Sequence, residues 1–455
     1  MASTVIESVL YSGTFGDDRM RGIFSDEAYV ARLLQVEAAL ASAQARVGLI
    51  PLAAAEEIER QARPEHFSLE RLREGLEATA HSLVPLVRAL AGRCGGDAGR
   101  YVHWGATTQD IIDTASALRL KEAFAFVTGR LVEILAALVH LAEAEADTLM
   151  AGRTHGQHAL PVTFGYKVAV WAWEVRRQLE RWEQAKPRVL VGNITGAVGT
   201  FAGFGGFGAE VERLALTHLG LAAPEICWHT ARDRPAEVAA LLTLTAGTLE
   251  KIAGEIYRLQ STEYGEVEEP FFVGKVGSST MPHKRNPSLC EAVMTSCRAV
   301  RAEASMVFEA MAQEHERHSA LWKTEWVGLP NAFILLAGAL TKCCRILPGL
   351  RINRRQMREN LDRSRGAVMS EAVMLALGRS VGRGEAHDIV YEAGMRAFEE
   401  GRHLRACLEE RADVMAHLSR EDLDTLFDYR RYTGSASDLA RGAAAVWRGD
   451  GDAHS

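Results

Sequence analysis

The chain has 455 residues, 47% of them hydrophobic and 24% charged, with a formal net charge of −7. That length exceeds what one growing core serves, so two or three subdomains are expected, and the composition is that of a soluble globular protein. The acidic balance excludes broad nucleic-acid binding but leaves room for a local basic pocket that takes a small anion. Seven cysteines, an odd number with no CxxC pair, fit a reduced intracellular protein. Residues 1–7 lack the basic segment and apolar core of a secretory signal, and no apolar run approaches membrane-spanning length. A cytoplasmic protein without membrane or nucleic-acid partners is the expectation.

In chain order, Val30, Leu33, Leu34, Val36, Ala39 and Leu40 give the first helical stripe, with Ser25-Asp26 as its cap. Shorter helices are expected over 53–61 and 69–77. His81 precedes another helical face of Leu83, Val84, Leu86, Val87 and Leu90, where a histidine is more often structural than catalytic. Residues 92–99 break the pattern, and Tyr101-Val102-His103-Trp104-Gly105-Ala106-Thr107-Thr108-Gln109-Asp110 enters the next helix. Thr107 and Thr108 read as first-turn residues: either ordinary caps, or hydroxyls and N–H groups that hold a carboxylate.

Long helices follow. Leu120, Phe124, Val127, Leu131, Ile134, Leu138 and Leu141 repeat every three or four residues, as do Val238, Leu241, Thr245, Leu249, Ile252, Ile256 and Leu259. Others are expected over 164–185, 292–313 and 329–346, and the best strand candidate is 188–193. Residues 152–161 form a polar break whose His155 and His158 lack cysteine or carboxylate companions, so acid–base or hydrogen-bonding work suits them better than metal binding. Gly203 to Gly208 spells GxGxxG without a βαβ setting, and Glu314-His315-Glu316-Arg317-His318 has HExH rather than HExxH spacing, so neither a dinucleotide nor a zinc site is read there. No metal or organic cofactor is indicated. Beyond about residue 351, shorter helices over 371–377, 385–399 and 404–415 form a small domain. The expectation is an all-α chain with an N-terminal helical domain over 1–110, a central long-helix bundle over 111–352 and a C-terminal helical domain over 353–455.

The most unusual stretch is Gly277-Ser278-Ser279-Thr280-Met281-Pro282-His283-Lys284-Arg285-Asn286-Pro287. Two prolines forbid a continuous helix, and residues 265–287 read as a loop long enough to be a lid or binding loop. Hydroxyls clustered beside Lys284 and Arg285 suit anion binding and proton removal.

Three stretches, 105–114, 152–161 and 277–287, resemble in order and spacing the three signatures of the fumarase/aspartase superfamily, and the similarity runs over nearly the whole chain. That superfamily includes adenylosuccinate lyase, argininosuccinate lyase and 3-carboxy-cis,cis-muconate cycloisomerase. The resemblance implies a homotetramer with a core of roughly twenty helices, each active site drawing its signatures from three subunits, which accounts for chemical stretches held far apart along helices that rise about 1.5 Å per residue. It implies anti β-elimination on a small 1,2-dicarboxylate, fumarate being the usual product, through a doubly charged enediolate-like carbanion. By the same resemblance Ser278 is the general base, Lys284 and Asn286 with Ser279 and Met281 of the same loop bind the substrate carboxylate, and His155, paired with Glu291, is or positions the general acid. Thr107, Thr108, Gln109 and Thr154 would hold carboxylates. Arg232 belongs to a segment, 228–234, that is similar to the cycloisomerase branch, and His81 resembles the second histidine of adenylosuccinate lyase. The segment that binds the nucleotide phosphate in adenylosuccinate lyase has no match after Gln313. The reading is therefore a fumarate-forming lyase of a succinyl substrate with a C–N or similar bond; the alternatives are a lactonising cycloisomerase, adenylosuccinate lyase, and a non-enzymatic homologue of the crystallin kind.

Overall fold

The computed structural model describes residues 4–272 and 274–451, with side chains described through residue 445. Helices dominate, as the spacing of apolar positions dictates. In chain order the elements that matter here are α1 (Asp26–Arg46), α2 (Val84–Arg93), α3 (Thr108–Ala144), β1 (Leu149–Thr154), β2 (Gln157–Thr163), α4 (Phe164–Val189), α5 (Gly208–Leu219), α6 (Asp233–Gln260), the two-residue β3 (Val267–Glu268), α7 (Ser288–Glu309), α8 (Ser319–Ile346) and the two-residue β4 (Arg351–Ile352). Shorter helices fill the C-terminal part, among them Arg354–Asp362, Ser370–Val381 and Arg383–Glu399.

The chain divides into two compact units, one of Met1–Val132, Arg177–Glu250 and Ala292–Thr341, the other of Glu133–Arg176, Lys251–Glu291 and Lys342–Ser455. In the first, Ser25 caps α1 by accepting the Ala28 N–H at 3.2 Å, and Leu34, Ile58, Leu90, Ile111, Ala115 and Leu216 are buried in one apolar cluster. Trp182 of α4 ties four helices of this unit together. Its ring meets Phe124 of α3 edge-on at 4.5 Å and Phe333 of α8 at 6.1 Å, and its indole N–H donates to Thr245 Oγ1 of α6 at 2.9 Å. A buried indole whose donor is satisfied in this way adds both area and direction to the packing.

In the second unit, Val373, Leu377, Ile389, Val390, Leu404, Leu408 and Leu423 form the C-terminal core, and Ala151 of β1 joins Leu361, Met369 and Tyr429 in a smaller one. The antiparallel hairpin β1–β2 stands where the sequence shows only a polar break. Its two-residue turn is His155-Gly156 with φ of 51° and 76°, the paired left-handed backbone of a type I′ hairpin. Histidine in place of asparagine or aspartate conceals that signal. The expected strand at 188–193 is not one: α4 runs through Val189, and only Val191 makes an isolated bridge, to Ala222. Helices α7 and α8 begin before the expected residues 292 and 329, because Pro287 sits just ahead of one start and Pro330 is tolerated inside the other. Thr108–Ala144 and Ser319–Ile346 are apolar and long enough to cross a membrane by composition, contrary to the expectation of no such run, and 50% and 67% of their most apolar windows are buried within the fold.

Candidate active site

In the first unit the chemistry centres on Asp110, which is 0% exposed one turn into α3. Its Oδ2 accepts the N–H groups of Thr107 and Gly196, each at 2.9 Å; its Oδ1 accepts the Thr195 N–H at 3.0 Å and meets His229 Nε2 at 2.9 Å. One carboxylate thus joins the segment before α3, the glycine turn 195–199 and the segment before α6. Thr107 and Thr108 lie half-buried at the positive end of the 37-residue α3 with their backbone fixed. Beneath them Gly105, at φ +74°, packs so tightly on residue 203 that a Cβ would sit 2.8 Å from the Gly203 carbonyl oxygen. The glycine-rich 203–208 segment is a close-approach spacer for this turn.

Around Asp110 the electrostatics are unusual. Burial opposes a charged His229, yet its hydrogen bond to Asp110 and the nearby Cys227 thiol outweigh that and lift it to about 9. Burial raises Glu212 of α5 to about 7 despite the Ile194 N–H that it accepts at 2.9 Å. Neither group was singled out from sequence. Asp110 was not singled out either, although Thr107 followed three residues later by an acidic side chain is a capping pattern that points to it.

Gln109 is fully buried and already engaged. Its amide donates to Asp113 at 3.1 Å and to the His229 carbonyl at 2.8 Å, while Oε1 accepts from Arg317 Nε at 2.7 Å. Arg317, exposed and also donating to the Ala197 carbonyl at 3.0 Å, is the cation at this surface. Arg232, expected to touch substrate, is 2% exposed, and all three of its nitrogens donate to Asp113 or Glu325. His81 is half-buried, with Nδ1 accepting the N–H groups of Leu83 at 3.3 Å and Val84 at 3.2 Å, so that it caps the start of α2.

In the second unit, Thr154 and His155 are exposed at the tip of the β1–β2 hairpin. The hairpin's flank is anchored by Arg153, which donates to the buried Glu266 at 3.0 Å and lies 5.0 Å over the Tyr264 ring; Asn360 holds the same carboxylate at 2.8 Å. His158, half-buried beside Arg153, is pulled below the ordinary histidine range, first by burial and then by that cation.

The 277–287 loop is held at both ends. Glu269, 1% exposed, pairs with Lys275 and accepts the N–H groups of Leu289 at 3.0 Å and Cys290 at 2.9 Å in the first turn of α7. Gln260 donates to the Arg285 carbonyl at 3.0 Å and accepts the Glu269 N–H at 2.8 Å, and Arg285 pairs with Glu268 at 2.9 Å. Within the loop, the half-buried Ser278 Oγ accepts the N–H groups of Thr280 at 3.3 Å and Met281 at 3.1 Å. Ser279 is exposed beside it. Met281, Lys284 and Asn286 line one cleft with Tyr257, Glu268 and Arg351. Among the described residues nothing pairs with the Lys284 ammonium. Glu291 is exposed in the first turn of α7, and among the described residues it makes no hydrogen bond to His155 within one copy.

Two family models match the chain, one described as lyase over residues 13–302 and one as adenylosuccinate lyase C-terminus over 366–442. An N-acetyl-S-(2-succino)cysteine lyase of Dickeya dadantii is 44% identical, over 96% of each chain. The chain belongs to the fumarase/aspartase superfamily. Also similar is a 3-carboxy-cis,cis-muconate cycloisomerase of Pseudomonas aeruginosa, 42% identical over 95% of each chain. A crystal structure of fumarate lyase from Mesorhizobium sp. BNC1 superimposes with a TM-score of 0.89 at 42% identity, covering 95% of this chain and 98% of that one. As a fumarase/aspartase-superfamily lyase, this protein carries its three signature segments at a helix N-terminus, on a hairpin tip and on an anchored loop.

Proposed function

We propose that the protein catalyses anti β-elimination on a succinyl-type 1,2-dicarboxylate and releases fumarate. The observation that supports this most is Ser278, whose oxygen already receives two backbone N–H groups. The same donors stabilise an alkoxide, which a serine must become in order to take a carbon-bound proton. Ser278 removes the proton beside one carboxylate, and the electron pair moves onto that carboxylate as an enediolate. It then returns to form the C=C bond as the leaving group departs from the neighbouring carbon, protonated by His155 with Glu291 orienting the ring.

Lys284 and Asn286, with Ser279 and the Met281 backbone, hold the carboxylate that accumulates charge. Thr107, Thr108 and Thr154 hold the other. Gln109 acts through Arg317 rather than by direct contact, Arg232 braces the segment before α6, and His81 fixes the start of α2. By the superfamily resemblance, the complete site is assembled from three copies in a homotetramer. Seven free thiols agree with a cytoplasmic setting.

The full-length match to an N-acetyl-S-(2-succino)cysteine lyase supports a thiolate leaving group from an S-succinyl thioether, with an N-succinyl amine as the neighbouring case. A lactonising cycloisomerase is the second reading, favoured by the relative of that name and by the 228–234 segment. Purified protein is offered an S-succinyl thioether of an N-acylcysteine, an N-succinyl amine and 3-carboxymuconate. Fumarate absorbance from the thioether is expected. Muconate consumption with no fumarate from either succinyl compound transfers the assignment to the second reading.

A further inference from the structure

The 277–287 loop touches itself at a residue to which the elimination assigns no step. Gly277, the residue before Ser278, lies against the backbone of residues 284 and 285: a Cβ there would overlap the Lys284 carbonyl oxygen and sit 3.0 Å from Arg285 Cα. Left-handed backbone is not the reason for this glycine, since its φ lies outside that region. Gly274, three residues earlier, is the opposite case, with φ +88° and no atom within 4 Å of its own Cβ position. The chain therefore closes on itself between Gly277 and Lys284. Inside that closure Ser278 Oγ accepts the N–H groups of Thr280 and Met281. The Lys284 N–H donates to the Met281 carbonyl at 3.0 Å around Pro282-His283, a turn with proline at its favoured second position. We propose that Gly277 is a positioning residue, whose missing side chain lets the two arms of the loop meet and so sets the span between Ser278 and Lys284.

That span matters because both groups act on neighbouring atoms of one substrate. The base takes a proton from a carbon, and the ammonium holds the carboxylate bonded to that carbon, so an error of about 1 Å between them costs rate on the order of 100-fold. An alanine at 277 forces an error of that size, because what it meets is backbone and not the movable end of a side chain. The return arm is also tied to the end of α6. Gln260, the last residue of that helix, donates to the Arg285 carbonyl at 3.0 Å and accepts the Glu269 N–H at 2.8 Å. Gly277 thus places Ser278 and Lys284 relative to each other, and Gln260 places the pair relative to the helix.

The catalytic effect rests on the roles proposed above for Ser278 and Lys284; the closure of the loop does not, and the two are tested separately. In the first arm, amide hydrogen exchange followed by peptide mass compares the intact wild type with Gly277→Ala in the absence of substrate. Exchange over 278–285 that is faster in the variant by about 10-fold or more, with α7 unchanged, is expected; equal rates overturn the closure. In the second arm, kinetics use whichever substrate the wild type turns over. Thr280→Ala is the control, since it alters an exposed side chain of the same loop and keeps its backbone N–H. Gly277→Ala should lose about 100-fold in kcat while KM stays within about threefold and calorimetry counts the same number of dicarboxylate sites per chain. A kcat near that of the wild type overturns the positioning role. So does an equal loss in Thr280→Ala, or a fall in kcat matched by a fall in site number, which marks a folding defect. If the wild type releases no fumarate from any succinyl compound, the proposed function fails, and the exchange arm still decides the closure.

Discussion

Gln109 Oε1 accepts the Arg317 Nε–H at 2.7 Å, so a buried amide on α3 fixes the direction of an exposed guanidinium 208 positions away in sequence. Arg317→Gln is expected to raise KM by about 10- to 100-fold, the size of one or two charge-assisted hydrogen bonds, with a smaller effect on kcat. Gln109→Leu should give a similar KM defect by releasing the same arginine. Steady-state kinetics on the best succinyl substrate decide it, and an unchanged KM in Arg317→Gln removes Arg317 from the carboxylate site.

Ser278→Ala should lower kcat by on the order of 10³-fold while dicarboxylate binding, followed by calorimetry, persists. Ser278→Thr keeps the hydroxyl and is expected to recover part of the rate. Turnover that survives in the alanine variant assigns the base elsewhere.

The proposed sharing of each site between copies has its own consequence. Mixing Ser278→Ala with His155→Asn after mild dissociation should restore activity that neither variant has alone, because some sites then receive an intact loop and an intact hairpin from different copies. Sedimentation velocity of the wild type at micromolar concentration is expected to show a tetramer. A monomer, or a mixture as inactive as its components, contradicts the arrangement.

Glu212 links stability to pH. Burial raises its folded-state pKa from 4.5 to about 7, so the native state prefers the neutral carboxyl. The sign follows: this contribution is fully present below about pH 4.5 and is lost as pH rises through 7, amounting to up to about 3 kcal/mol. Glu212→Gln should therefore melt progressively higher than the wild type between pH 5 and pH 8. Melting curves whose difference does not grow with pH place the charge elsewhere in the cluster.

Asp110→Asn replaces a buried carboxylate that accepts three backbone N–H groups and faces His229, at an expected cost of about 3 kcal/mol. It should also lower the His229 ring toward its usual pKa near 6.5, since the hydrogen bond to Asp110 is the first of the contributions that outweigh burial. Histidine NMR titration reads this separately from any loss of stability.

The long apolar stripes of α3 and α6 were legible because a periodicity of 3.6 survives any tertiary context. The 277–287 loop was legible because two prolines and paired hydroxyls have few other uses. The β1–β2 hairpin was hidden because its turn is His-Gly, and its strands mix glycine, arginine and histidine rather than alternating. The misreading at 188–193 arose from a run of Val189, Leu190 and Val191 that ends one helix instead of starting a strand. Arg232 and Gln109 looked like ligands of a substrate because sequence shows a cation or an amide but not its partners. Asp113, Glu325 and the His229 carbonyl, which occupy them, lie from 4 to 120 residues away.

Glu269 sits on the N–H groups of Leu289 and Cys290, so the partial positive charge at the start of α7 is already neutralised by the protein's own carboxylate. An arriving dianion gains nothing from that helix. At the loop, its long-range attraction falls to Lys284, since Arg285 is paired with Glu268. Capture at this loop should then respond to ionic strength as a single-charge encounter does, with a shallow dependence on salt, even though the sequence there displays a lysine and an arginine side by side.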